Sequence, residues 1–159
     1  MYKRQFQRIE IIRNKDYGRV LLLDGLVQTT ERDEFYYHEM LVHAAMCSHP
    51  RPRNVLIIGG GDGGALREAL KHPVKKAWLV EIDGRVIEAC REHFPWLKSA
   101  LRDPRAELVV EDGNVFIDKV RETFDVIVVD SSDPVGPSTV LHERAFYSCL
   151  LYTSDAADE

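Results

Sequence analysis

Four continuous apolar runs, "NVLIIG", "AWLVEID", "AELVVED" and "FDVIVVD", constrain what this chain can fold into more than any other feature. None of them alternates apolar with polar residues, so each predicts a strand buried on both faces, as in a parallel sheet. Between them lie "GGALREALKH", "GRVIEACREHF" and "GNVFIDKVRE", whose apolar residues recur at helical spacing. This βαβ rhythm predicts an α/β fold, a doubly wound, Rossmann-like parallel sheet. A chain of 159 residues is long enough for one domain of ordinary size.

The residues upstream follow another pattern. "FQRIEII" (6–12) has a rough strand pattern, and "RVLLLDGLVQTT" holds two short apolar runs around Asp24-Gly25, a hairpin turn signal. "ERDEFYYHEMLVHAAMC" reads as a helix with Phe35, Met40, Leu41, Ala44 and Ala45 near one face and acids in its first turn. The two prolines of "SHPRPR" end that helix and mark a boundary. The expected organisation is a small N-terminal β-rich region with its linking helix at 1–52, a Rossmann-like domain at 53–149, and a tail at 150–159. The tail, "LLYTSDAADE", continues no neighbouring pattern and looks foreign to the fold, as does "MYKRQ" at the start.

Charge and composition narrow the function. A net charge of −5 argues against a nucleic-acid binder held by phosphate contacts and suits cationic ligands. No apolar run is long enough to span a membrane and no secretory signal opens the chain, so neither membrane nor export is expected. Three widely spaced cysteines without a CxxC pair fit reduced thiols, hence a cytoplasmic protein. The six histidines show no metal-ligand spacing, and no metal is expected. Trp78 and Trp96 read as packing residues, and Lys75-Lys76 as solvated charge.

The acids are placed more tellingly. Three of the predicted strands end in one: Glu81 with Asp83 two residues on, then Asp112, then Asp130. Asp62 follows the first of these strands, inside "GGGDGG". Ligands of open parallel sheets bind at the carboxyl ends of the strands, so these acids are expected to share one cleft. Helix N-capping is the plainer role open to each of them singly. Glu81 lies 22 residues after Gly59, the spacing at which an acid accepts hydrogen bonds from ribose hydroxyls. A phosphate brought close to Asp62 would be repelled, so a dinucleotide is disfavoured. A nucleoside ligand ending in an ammonium, without a carboxylate, would suit Asp62. Downstream, "DSSDPVGPST" (130–139) sets Asp130 and Asp133 to face a cation in a rim loop stiffened by Pro134 and Pro137.

The stretches "YGRVLLLDGLVQTTERDEFYYHEML", "VLIIGGGDGGALREALKHP", "VEID", "EDG" and "FDVIVVDSSDPVGPS" resemble, in order and spacing, the spermidine synthases, the polyamine aminopropyltransferase family. The resemblance runs from about residue 6 to 149 and implies a methyltransferase-like Rossmann domain. It also implies transfer of the aminopropyl group of decarboxylated S-adenosylmethionine to putrescine, giving spermidine and 5′-methylthioadenosine. No resident cofactor is implied, because decarboxylated S-adenosylmethionine is a co-substrate. A homodimer or homotetramer is implied as well. Carried over by motif, Asp130 would be the proton acceptor. His38, Asp62, Asp133 and Tyr37 would meet the polyamine or aminopropyl end. Gln7, Glu81, Asp112, Gly113 and Pro137 would hold the donor nucleoside. Two other readings stay open, a methyltransferase using intact S-adenosylmethionine and a non-catalytic homologue. Members of the family run on past this length, so the sheet is expected to be incomplete beyond Asp130, with an exposed apolar edge. The chain by itself is then expected to fold poorly and show little turnover.

Overall fold

The structure, a computed structural model, describes residues 7–131, 139, 141 and 143–153. It contains a three-stranded antiparallel sheet and a four-stranded parallel one. The first is a meander of β1 (Ile9–Asn14), β2 (Gly18–Leu23) and β3 (Leu26–Thr30). Asp24 and Gly25 between β2 and β3 take φ of 51° and 81°. Positive φ at both central residues is what a tight hairpin turn of the right twist needs. The first strand runs later than the expected 6–12, because its pairing with β2 extends to Asn14 opposite Gly18.

In the helix α1 (Glu34–Ser48), Leu41 and Ala45 of the expected apolar face pack against the core, but the fully buried stripe is another one. Its buried residues are Glu34, His38, Val42 and Met46, whereas Met40 is 73% exposed and Phe35 37%. The turn of the helix that matters thus carries two ionisable side chains inward, among the apolar ones.

The parallel sheet comprises β4 (Asn54–Gly59), β5 (Lys76–Glu81), β6 (Ala106–Val110) and β7 (Val126–Asp130), in the spatial order β6-β5-β4-β7. The four expected strands all form. Successive residues of β4 serve opposite layers, which explains its unbroken apolar run. Val55 and Ile57 pack with Val42 and Met46 of α1 and with Leu66 and Ala69 of α2 (Gly64–Leu70). Leu56 and Ile58 pack on the other side with Phe116 and Ile117 of α5 (Gly113–Lys119) and with Phe146 and Leu150 of α6 (Arg144–Tyr152). Trp78 is a packing residue here, edge-on to Phe124 at 5.2 Å. Lys76 is more than solvated charge, since its ammonium pairs with Glu107 and lies 4.4 Å from the Trp78 ring centre.

A third apolar cluster ties the two sheets together. Leu21 of β2 meets Val86, Ile87 and Cys90 of α3 (Gly84–His93) and Leu97 of α4 (Pro95–Ala100). The short helix α4 has no counterpart in the sequence reading.

The folded part also extends past the expected boundary at 149. Helix α6 continues to Tyr152, Leu150 is 7% exposed, and the Thr153 carbonyl accepts a hydrogen bond from the Phe124 N–H. Leu150 thus packs with the apolar cluster, and Thr153 hydrogen-bonds to the chain, past the expected boundary. Replacing Leu150 by Ala is expected to cost about 2–4 kcal/mol in urea denaturation. An unchanged midpoint would show that this end of α6 does not stabilise the chain.

Candidate active site

The strand order places β4, the first strand of the parallel sheet, between β5 and β7. Connections from the two sides of β4 diverge, and the crevice that opens at its carboxyl end is where such sheets take ligands. Gly59 ends β4 directly opposite Asp130, which ends β7. A cleft of about 580 Å³ lies there. It is lined by Gln7, Tyr37, His38, Asp62, Glu81, Asp112, Gly113 and Asp130 among others. Eight of the ten expected site residues thus meet in one place. The other two, Asp133 and Pro137, lie outside the described residues. Asp83 does not line the cleft; it is buried and caps α3, accepting from the Arg85 N–H at 3.0 Å. Asp112 does both, lining the cleft and capping α5 through the Asn114 N–H at 2.9 Å.

The glycine turn makes room for the chain's own side chains. A Cβ on Gly60 would sit 2.6 Å from Asp130 Oδ2, one on Gly61 2.9 Å from Glu81 Cγ, and one on Gly64 2.3 Å from the His38 ring. Each contact is far below ordinary van der Waals separation, so the glycines seat an acid, an acid and a histidine at the turn. Asp62 is itself tied in: its Oδ1 accepts from the Gly64 N–H at 2.8 Å, and its carbonyl from the Trp96 indole N–H at 3.1 Å. Trp96 therefore steadies the turn that carries Asp62, a role the sequence reading did not assign.

Charge is dense here and is balanced locally. His38 is 2% exposed. Its Nδ1 lies 2.7 Å from Glu34 Oε2, and its Nε2 lies 3.4 Å from Asp62 Oδ1 and 3.9 Å from Asp130 Oδ2. Burial opposes the ring's charge, but hydrogen bonds to Asp62 and Glu34 and the charges of Asp62 and Asp130 outweigh it, raising the His38 pKa to about 10. Glu34 is held ionised below the usual carboxylate range. Burial works against this, and the bonds from His38 and Arg67 overcome it. Arg67 grips both Glu34 oxygens, at 2.6 and 3.0 Å, and donates Nε to Glu68 at 2.6 Å. Glu68 is fully buried and also pairs with Lys71 and, at 3.0 Å, with His43. None of the helix-borne partners Glu34, Arg67 and Glu68 was singled out by motif.

Asp130 is pushed up to about 6, by burial and then by the charge of Asp62, while His38 and the Tyr37 hydroxyl pull it back. The Tyr37 hydroxyl donates to Asp130 Oδ1 at 3.0 Å, and its own pKa is raised by burial and by the Asp130 charge. Asp130 Oδ2 is buried and has no hydrogen-bond partner among the described residues. Glu81 accepts from the N–H groups of Asp83 at 2.9 Å and Gly61 at 3.2 Å, yet burial still lifts it to about 7. His38, Asp62 and Asp130 offer one ligand atom each, all within 4.8 Å of one another.

Residues 34–153 match the spermine/spermidine synthase domain, and residues 2–31 match the spermidine synthase tetramerisation domain. Both matches enter stretches expected to be foreign, from residue 2 at one end and to Thr153 at the other. A polyamine aminopropyltransferase of Bacillus mycoides (strain KBAB4) is 50% identical over 145 residues, which are 91% of this chain and 53% of that relative. A crystal structure of a spermidine synthase in complex with the transition state analogue AdoDATO aligns with a TM-score of 0.90 at 49% identity, over 96% of this chain and 52% of that one. The spermidine synthase structure from Thermotoga maritima aligns at 0.86 with 47% identity, over 96% and 51%. The chain spans about half the length of the curated relatives it matches.

His38 also makes a prediction about stability. Its proton is held more tightly folded than unfolded, with the pKa raised from 6.5 to about 10. The stabilisation is therefore complete below the unfolded value and is lost as pH rises through the folded one. The urea midpoint should fall between about pH 7 and pH 10, and His38→Gln should flatten that decline. Parallel slopes in the two proteins would mean that His38 is not charged in the folded chain.

Proposed function

This chain belongs to the spermine/spermidine synthase family, and we propose that its cleft serves aminopropyl transfer from decarboxylated S-adenosylmethionine to putrescine, giving spermidine and 5′-methylthioadenosine. The observation that carries this reading is Asp130 Oδ2, buried at the sheet's switch point with no hydrogen-bond partner among the described residues. A buried acceptor left open there is where an amine N–H would fit.

The chemistry follows from the charges. A primary amine must lose its proton before its lone pair can attack the carbon beside the sulfonium. Free amines hold that proton to a pH of about 10 and ordinary carboxylates to about 4, a gap too wide for easy transfer. The cleft narrows it from both sides. Burial and Asp62 raise Asp130 to about 6. The neighbouring sulfonium lowers the amine by like-charge repulsion. Asp130 takes the proton, and the freed lone pair then forms the C–N bond as the C–S bond breaks and its electrons go to sulfur. The rest of the acceleration comes from holding nitrogen, carbon and sulfur in line.

In this reading Glu81 accepts from the ribose hydroxyls, Asp112 and Gly113 flank the adenine, and Gln7 closes the nucleoside end. His38, Asp62 and Tyr37 surround the aminopropyl and amine groups, with Asp133 and Pro137 in their family roles. The donor is a co-substrate, and no resident cofactor is required. The match of residues 2–31 to a tetramerisation domain supports assembly through the N-terminal sheet, as a homodimer or homotetramer. The cytoplasm is the compartment where such an enzyme would work.

Two experiments test this. In calorimetry a chimera continuing this chain with a relative's remaining length should bind decarboxylated S-adenosylmethionine more tightly than the intact compound, because the intact carboxylate would face Asp62. Asp62→Asn should narrow the preference by roughly tenfold or more. Tighter binding of the intact donor by the unaltered chimera would favour a methyltransferase. In the same chimera, Asp130→Asn should lower kcat by about a hundredfold or more while donor affinity changes little. Turnover unaffected by that change, followed as methylthioadenosine by mass spectrometry, would remove Asp130 from its role.

A further inference from the structure

His38 stands among three carboxylates, Glu34 at 2.7 Å, Asp62 at 3.4 Å and Asp130 at 3.9 Å. We propose that His38 is the counter-cation of the empty cleft, and that an organic cation lodging between Asp62 and Asp130 displaces the Nε2 proton to solvent. The N–H bond at Nε2 breaks, its electrons stay on the ring, and the proton leaves to buffer. The neutral ring then presents Nε2 to the cleft as an acceptor. This rests on the functional reading above, which brings a cationic ligand to this place.

Geometry decides which proton leaves. Nδ1 faces Glu34, and Glu34 is fixed as an anion by both ends of the Arg67 guanidinium. The Nδ1 proton therefore keeps its partner whether or not a ligand is present. Nε2 faces the two acids that the ligand would claim. The ring cannot swing aside, because it lies where a side chain on Gly64 would stand and is 2% exposed.

The charged and titratable groups around the ring are few. Glu34 and Tyr37 approach from α1, with the Tyr37 ring edge-on at 5.2 Å. Asp62 comes from the glycine turn and Asp130 from β7, and Arg67 of α2 stands behind Glu34. With no ligand, a neutral His38 would leave Asp62 and Asp130 without a positive partner in a buried setting. Among the described residues, Asp130 Oδ2 has no hydrogen bond even so. A ligand cation supplies the missing charge and makes the imidazolium redundant. At about 4 Å and a surface-like dielectric, one positive charge weakens the ring's hold on its proton roughly a thousandfold. Starting from a pKa of about 10, that brings His38 near neutrality.

The exchange has a use in the cycle. The amine proton taken by Asp130 has Nε2 as a near acceptor 3.9 Å away. Reprotonating His38 would restore the cation of the empty cleft and repel the cationic product.

The test is calorimetry of a chimera that continues this chain with a relative's remaining length, titrated with putrescine and, separately, with decarboxylated S-adenosylmethionine. Measurements at about pH 8 in buffers of different ionisation enthalpy count protons. Release of about one proton per bound cation is expected. It should vanish in His38→Gln and shrink in Glu34→Gln, so a folding defect in one variant leaves the other to decide. Carbon-13 resonances of labelled histidine should show His38 passing from imidazolium to the Nδ1–H neutral form on binding. Binding of either ligand with buffer-independent heat overturns the exchange and leaves the functional reading standing. Binding of neither ligand overturns both.

Discussion

The parallel pairing of β4 with β7 is the contact on which the site depends, because it sets Gly59 opposite Asp130. The glycine turn after β4 and Asp130 take their relative positions from it, while the β4–β5 pairing adds Glu81. β4 delivers the glycine turn and Asp62, β5 delivers Glu81 from the other side, and β7 delivers Asp130. The pairing costs little locally, since the main-chain bonds it makes are those any parallel ladder makes. Its consequence is electrostatic: three carboxylates are carried into one partly dry space.

Such a concentration of charge survives only with compensation. Taking carboxylates out of water is expensive, and their repulsion adds to the cost. Here the compensation is a chain of alternating charge that leads away from the cleft, from His38 to Glu34, Arg67, Glu68 and Lys71. It crosses the interface of α1 and α2, so the two helices that cover one face of the sheet also balance the site. The glycine turn contributes by absence. Where an anion-binding loop keeps space for a phosphate, this one fills the space with Asp130, Glu81 and His38.

The strands and the hairpin were legible because burial on both faces and a tight turn each leave a local mark. "NVLIIG" became β4 residue for residue. The core face of α1 was not legible in the same way. Apolarity is the usual mark of an inward face, and here two of the four inward residues are Glu34 and His38. A different signal was present, since Glu34, His38, Val42 and Met46 recur every four residues and form one stripe. That stripe makes sense only once Arg67, Asp62 and Asp130 are known to meet its charged end. The last helix was hard to read for a related reason. "LLYTSDAADE" has no helical pattern of its own, yet Leu150 is fixed by Phe124, Phe146 and the far face of the sheet.

By itself, the sequence determined the α/β alternation, the turn chemistry and the identity of the strand-end acids, because each is a matter of periodicity or of residue type at a strand's end. Tertiary structure decided what those acids do to one another. Only the folded chain sets Asp130 over Gly60, the His38 ring over Gly64 and Arg67 across Glu34. Proton affinities depend on distances of a few ångströms and on the exclusion of water, and neither is a property of the chain before it packs.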